Sequence, residues 1–178
     1  MLYIFDLDTT LVTKYTSDPL PHVLEKLQAL REGRHDIALA TNQGGLAWGE
    51  WTGRSKYPTV ASMATRFAKI VTLLPPLQDA HWFVAVYDER VRLALERFEA
   101  IATSLTEAGR EMHLHASADP EWRKPRSGML RAACRRYGVA PAEALYVGDM
   151  ETDAEAATGI GMPFVYAAAF FDRESIPE

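Results

Sequence analysis

The chain has 178 residues, 48% hydrophobic, with a formal net charge of −5. That length and apolar content suit one compact domain over residues 1–178 with a substantial core, and no second globular domain is expected. The acidic balance disfavours a protein held to nucleic acid by bulk charge. A lone cysteine, Cys134, excludes an intramolecular disulfide, no basic leader precedes the first apolar run, and no run approaches roughly 18 apolar residues. The expected setting is reducing and cytoplasmic, with no membrane partner.

In chain order, apolar runs of strand length alternate with segments of helical spacing, as a mostly parallel sheet requires. The first strand, Leu2–Asp6, runs straight into Asp6 and Asp8. Ligands of open α/β sheets bind beyond the carboxyl ends of strands, so this Asp-x-Asp stands where chemistry is expected, although Asp-x-Asp-Thr is also a good strand-ending turn. In an extended chain the two carboxylates project to one side. There they can share a hard cation, or one can attack while the other handles a proton. A helix over His22–Glu32 follows, with Val23, Leu27 and Leu30 at helical spacing. The next strand, Ile37–Ala40, ends in Thr41-Asn42-Gln43-Gly44-Gly45, a set of hydroxyl, amide and flexible backbone that suits phosphate oxygens.

A helix over Thr59–Leu74, closed by Pro75-Pro76, leads to a strand Trp82–Tyr87, a helix over Glu89–Ala108 and a short strand His113–His115. The stretch Trp122-Arg-Lys-Pro-Arg-Ser-Gly-Met129 fixes Lys124 by a proline just before a helix over Gly128–Tyr137, which places a cation near a helix N-terminus. The strand Leu145–Val147 then stops at Gly148 and delivers Asp149, with Glu151 and Asp153 close behind. A helix over Thr152–Ala157 and a strand Phe164–Tyr166 complete the series.

The ordered set Asp6-Leu-Asp8-Thr-Thr10, Thr41-Asn42-Gln43, Lys124-Pro125 and Gly148-Asp149 with Asp153 resembles the four motifs of the haloacid dehalogenase-like (HAD) phosphatases. The forms Thr-Asn-Gln-Gly and Arg-Lys-Pro-x-x-Gly-Met look most like the subclass III branch that holds histidinol-phosphate, heptose-bisphosphate and polynucleotide 3'-phosphatases. The resemblance implies a three-layer Rossmann-like fold. Only a loop fits between Thr10 and Pro21, and the residues between Asn42 and Lys124 must supply core elements, so no large cap domain is expected and the site should be open. The resemblance also implies Mg²⁺ as cofactor, with Asp6, the backbone carbonyl of Asp8, and Asp149 as ligands and Asp153 acting through water or by orienting Lys124. Asp6 would be the nucleophile and Asp8 the general acid-base. Thr41, Asn42 and Lys124 would hold the phosphoryl group, and Arg123 would contact the substrate. Thr10 would close the loop by hydrogen bonding. One departure stands out: Thr9 replaces the family's usual glycine, and because a β-branched residue disfavours positive φ, the loop is expected to be locally reshaped.

Two other readings compete. A receiver domain also gathers acids, a Thr and a Lys at strand ends, with Asp88 after the third strand as its phosphoacceptor, but it would carry adjacent acids after the first strand and none after the lysine. A binding-only relative would keep the fold and lose the chemistry, and only Thr9 argues for it. His113 and His115 alternate along a strand, but the stretch before Arg123 has no cysteine, so a structural zinc is not expected. For substrate, a small phosphorylated metabolite is the first expectation. A nucleic-acid 3'-phosphate end is the alternative, because Trp48–Tyr57 interleaves aromatic and basic residues and Arg123, Lys124, Arg126, Arg131, Arg135 and Arg136 form a basic run.

Overall fold

Alternation along the central strand divides the core in two. In the computed structural model, which describes residues 1–172, β1 (Leu2–Phe5) turns Leu2 and Ile4 to one face and Phe5 to the other, each fully buried. Strands buried on both faces read as continuous apolar runs rather than as polar and apolar alternation. The sheet also contains β2 (Asp36–Asn42), β3 (His81–Ala85), β4 (Leu114–Ser117), β5 (Ala144–Gly148) and β6 (Phe164–Tyr166). Their order is β4-β3-β2-β1-β5-β6, and every pairing is parallel.

Helices cover both faces and make the three layers. One face packs against α1 (Val23–Glu32), α2 (Gly45–Thr52), α3 (Val60–Leu73), α4 (Leu95–Ala108) and the short α7 (Ala167–Phe170). The other packs against α5 (Gly128–Tyr137) and α6 (Glu151–Thr158). On α3, Phe67 lies against Trp82 of β3 with ring centroids 4.9 Å apart, which fixes that helix to the sheet. Between β1 and α1 the chain is a loop broken only by isolated bridges, which matches the expected lack of a large insertion there. No helix among the described residues is long and apolar enough to cross a membrane.

The order reverses between β1 and β5, so the connections after β1 and β2 lie on opposite sides of a crevice from that after β5, the place where open α/β sheets bind ligands.

Several boundaries differ from the sequence reading, among them three with a clear local reason. The helix expected from Glu89 begins at Leu95, because the Asp88 carboxylate accepts from the Arg90 amide (3.0 Å) and holds a turn. His113 lies outside β4 in the left-handed region (φ 51°), closing the preceding 3₁₀ turn. Helix α2 falls where no helix is expected, since Gly45 and Gly49 weaken helix propensity. It forms because Leu46 and Ala47 reach the core.

At the amino edge of the sheet, far along the strands from the crevice, the His81 ring meets His113 and His115 with centroids at 4.9 and 5.2 Å. Arg136 Nε donates to His81 Nε2 (3.2 Å), so His81 carries its own proton on Nδ1 and donates it to His115 Nε2 (2.9 Å). Burial, then Arg136 and the two neighbouring imidazoles, lower the His81 pKa to about 4. An unfolded chain takes up that proton near pH 6.5, so between about 6.5 and 4 the unfolded state binds more protons and stability falls as pH is lowered. Thermal unfolding across that window is expected to show a flatter pH dependence for His81→Gln than for wild type; parallel curves would assign the linkage elsewhere.

Candidate active site

At the crevice the Lys124 ammonium is buried among oxygens. Its Nζ lies 2.6 Å from Asp6 Oδ1 and 2.6 Å from Asp153 Oδ1, and it donates to Tyr146 Oη (2.9 Å) and to the Ala40 carbonyl (3.2 Å). The partners arrive from different elements: Asp6 follows β1, Ala40 belongs to β2, Tyr146 to β5 and Asp153 to α6. Burial works against the charged lysine, but Asp153 and Asp6 overcome it and raise the ammonium above its ordinary range. Asp6 shifts the same way. Burial pushes its carboxyl well above the usual range, Lys124 opposes, and Asp153 and Asp149 push further.

Asp153 spends both oxygens on structure. Oδ1 receives Lys124 and the Tyr146 hydroxyl (2.8 Å), while Oδ2 accepts the backbone amides of Asp149 (3.1 Å) and Met150 (3.0 Å). Through these contacts Asp153 holds Lys124, Tyr146 and the turn after β5 together. This clamp explains Gly148, where an added Cβ would lie 2.5 Å from Asp153 Oδ2. Thr10 Oγ1 donates to Asp149 Oδ1 (3.2 Å), joining the first motif to the fourth.

One oxygen each of Asp6, Asp149 and Asp153 lies within 4.8 Å of the others. Three carboxylates around one ammonium leave excess negative charge in a buried place, and burial together with Asp153 raises the Asp149 pKa too. A hard divalent cation with oxygen preference, such as Mg²⁺, fits that donor set and relieves that charge.

Asp8 stands apart from this cluster. Its Oδ1 accepts the Tyr15 amide (2.8 Å) and Arg66 Nη2 (2.5 Å), and its Oδ2 accepts Gln43 Nε2 (3.0 Å). Gln43 also donates to Thr41 Oγ1 (3.0 Å), joining the first and second motifs. Thr9 corrects an expectation. Despite its β-branch it adopts φ 63°, so the loop keeps the left-handed turn rather than being reshaped. The amides of Thr10, Leu11 and Val12 all point at the Leu7 carbonyl, and Leu7, Leu11 and Val12 are fully buried. Burying three apolar side chains outweighs a left-handed cost of about 1–2 kcal/mol.

The remaining expected contacts are engaged with protein. Asn42 forms a reciprocal pair with the Lys124 main chain, donating to its carbonyl (3.2 Å) and accepting its amide (3.0 Å). Arg123 reaches the Tyr87 carbonyl (3.3 Å), Asp88 (3.3 Å) and Glu89 (3.1 Å). Asp88 is buried and also accepts from Trp48 Nε1 (3.2 Å) and from the Arg90 guanidinium (2.7 Å). Burial opposes its charge, yet the Arg90 hydrogen bonds, Arg123 and Trp48 bring its pKa down to about 2. A carboxylate so enclosed is unsuited to accept a phosphoryl group, which removes the receiver reading. Trp48 stacks on Tyr57 at 5.9 Å and meets Trp51 at 5.3 Å, so the aromatic stretch is partly a packed unit.

Sequence reading passed over three residues of this site. Gln43 lay within the second motif, and Tyr146 within a run read only as buried strand. Arg66 carried no local signal, standing 58 residues from Asp8.

Residues 121–168 match the HAD-hydrolase-like family model. No curated protein matches this sequence. Among solved structures, D,D-heptose 1.7-bisphosphate phosphatase from B. bronchiseptica, crystallised with magnesium and phosphate, superposes with a TM-score of 0.67 at 22% identity, covering 99% of this chain and 88% of that one. A Mesorhizobium loti protein provisionally assigned as a HAD-like phosphatase gives 0.62 at 21% identity, covering 90% of this chain and 68% of that one. At these identities the likeness establishes the fold.

Two variants test the geometry. Thr9→Gly removes the left-handed cost and adds about 0.5–1 kcal/mol of unfolded-state entropy. A net stabilisation of about 1 kcal/mol is expected, raising Tm by about 2–4 °C, and a lower Tm would contradict it. Tyr146→Phe deletes one oxygen beneath Lys124 and Asp153, and denaturant titration is expected to show a loss of about 1.5–3 kcal/mol. Unchanged stability would place the hydroxyl outside the network.

Proposed function

From the HAD-like fold of this chain, we propose that it is a Mg²⁺-dependent phosphomonoesterase acting through an aspartyl-phosphate on Asp6. The observation that carries this reading is the buried Lys124 ammonium set between Asp6 and Asp153, with Asp149 alongside, at the reversal point of the sheet. Asp6, Asp149 and the main-chain carbonyl of Asp8 would hold the cation. Bound there, Mg²⁺ would offset the repulsion between a carboxylate nucleophile and a phosphate dianion.

The protein's own groups then divide the work. Asp6 forms a bond to phosphorus as the ester P–O bond breaks, and Asp8 gives its proton to the departing oxygen. Asp8 next takes a proton from water as the water oxygen bonds to phosphorus and the Asp6–phosphorus bond breaks. Lys124, and the Thr41 hydroxyl held by Gln43, supply positive charge and a donor for the transferring oxygens. Asn42 holds the Lys124 main chain in place for this. Arg123 lines the approach through Asp88 and Glu89. The left-handed φ of Thr9 supports an active site over a binding-only relative, since the loop makes the turn there despite the β-branch.

A small phosphorylated metabolite is the favoured substrate, in a cytoplasmic setting supported by a buried, unreactive Cys134 whose pKa burial raises. A nucleic-acid end is less favoured because the basic run is dispersed: Arg123 binds Asp88, Arg126 binds Glu121 (3.4 Å) and Arg136 binds His81. Hydrolysis of p-nitrophenyl phosphate, with and without Mg²⁺, tests the activity. Turnover that needs the metal and falls to background in Asp6→Asn at equal folded concentration is expected. Metal-independent turnover, or turnover that survives Asp6→Asn, would overturn the mechanism.

A further inference from the structure

Arg66 lies on the first turns of α3, yet its guanidinium leaves the helix surface to serve the loop after β1. Nη2 lies 2.5 Å from Asp8 Oδ1 and Nε donates to the Thr16 carbonyl (2.7 Å), while the Ser17 hydroxyl reaches back to the Arg66 carbonyl (3.5 Å). The Arg66 and Asp8 side chains are only 13% and 17% exposed, so this pair is far better shielded than an ordinary surface salt bridge. The guanidinium fork therefore grips the Asp8 carboxylate and the main chain of Thr16 at once, a bidentate geometry that lysine cannot reproduce.

The two Asp8 oxygens are unequally occupied. Oδ1 is anchored by two donors, Arg66 Nη2 and the Tyr15 amide, whereas among the described residues Oδ2 accepts from one side chain, Gln43. A carboxylate oxygen has two lone pairs, so Oδ2 keeps one to exchange a proton with a substrate oxygen. We infer that Arg66 is the positioning residue of Asp8: it locks Oδ1 and the Thr13–Asp18 loop so that Oδ2 faces the leaving group. This rests on the phosphatase reading for its consequence in catalysis, but not for the loop contacts themselves.

If Arg66 aligns a proton donor, its loss matters most where the departing oxygen is a poor leaving group. The parameter kcat/KM covers binding through formation of the phosphoenzyme and so isolates that departure from the later hydrolysis. Arg66→Met, which keeps much of the apolar stem, is expected to lower kcat/KM for an alkyl phosphate such as glycerol phosphate by about 10²-fold, the lower end of general acid-base effects. For p-nitrophenyl phosphate, whose leaving group departs without a proton, the loss is expected to stay within about threefold on the same argument. Arg66→Lys, which restores charge without the fork, is expected to recover only part of the alkyl rate. Equal losses on both substrates, or none, would overturn the inference.

A second measurement is independent of turnover. Hydrogen exchange at the Tyr15 amide, which donates to Asp8 Oδ1, is expected to quicken at least tenfold in Arg66→Met while the Phe5 and Leu39 amides of the central strands stay protected. Unchanged exchange at Tyr15 would overturn the positioning role even if the enzyme were active. Quickened exchange with no wild-type turnover would uphold the latch and reject the phosphatase reading instead.

Discussion

The buried ammonium of Lys124 is the contact around which the crevice is organised. A lysine withdrawn from water is costly unless carboxylates surround it, and two approach it at 2.6 Å. Removing one partner of a buried pair leaves an uncompensated charge, typically a loss of about 3–5 kcal/mol, so the cluster constrains every segment that feeds it. The Asp6 loop, the end of β2, the Lys124 loop and the turn after β5 hold their positions relative to one another through this single group. Asn42 reinforces it from outside by fixing the Lys124 main chain, and the Tyr146 hydroxyl from below by bridging Lys124 and Asp153.

The charge at this centre is also what suits it to a cation. One ammonium faces Asp6, Asp149 and Asp153, and burial raises the proton affinity of both Asp6 and Asp149. A site that draws protons because it is over-supplied with buried negative charge draws a hard divalent cation for the same reason. Under the proposed function an incoming phosphate would bring more negative charge, which would make metal and substrate electrostatically interdependent. Lys124 alone cannot balance the whole set.

How far the sequence reveals this depends on the range of the interaction. The sheet was readable because strands buried on both faces leave apolar runs, and the motifs were readable because each sits where such a run ends. Asp6 and Asp149 meet because they follow the neighbouring strands β1 and β5, while Lys124 comes from the loop before α5 and Asp153 from α6. Helix α2 was hidden by its glycines, and the start of α4 by a side-chain turn at Asp88 that periodicity does not register. Arg66 was hidden more deeply, since nothing near it in sequence marks one arginine of an amphipathic helix as the one that reaches Asp8. The Thr9 expectation failed because local preference was weighed without the burial of Leu7, Leu11 and Val12, which decides the turn.

That turn gives the Asp-x-Asp motif two unlike environments. An extended chain would place both carboxylates on one side, competing for the same cation. Instead the chain folds back at Thr9, with Thr9 N bonded to the Val12 carbonyl at 2.8 Å, and the two aspartates take separate partners. Asp6 joins Lys124 and the other acids, where a nucleophile can be shielded from phosphate repulsion. Asp8 joins Arg66, Gln43 and the Tyr15 amide, where a proton carrier can be held at one oxygen and free to act at the other. Two identical side chains, two residues apart, thereby acquire the distinct surroundings that the nucleophile and acid-base roles proposed for them would require. The left-handed strain at Thr9 is the local cost of that separation.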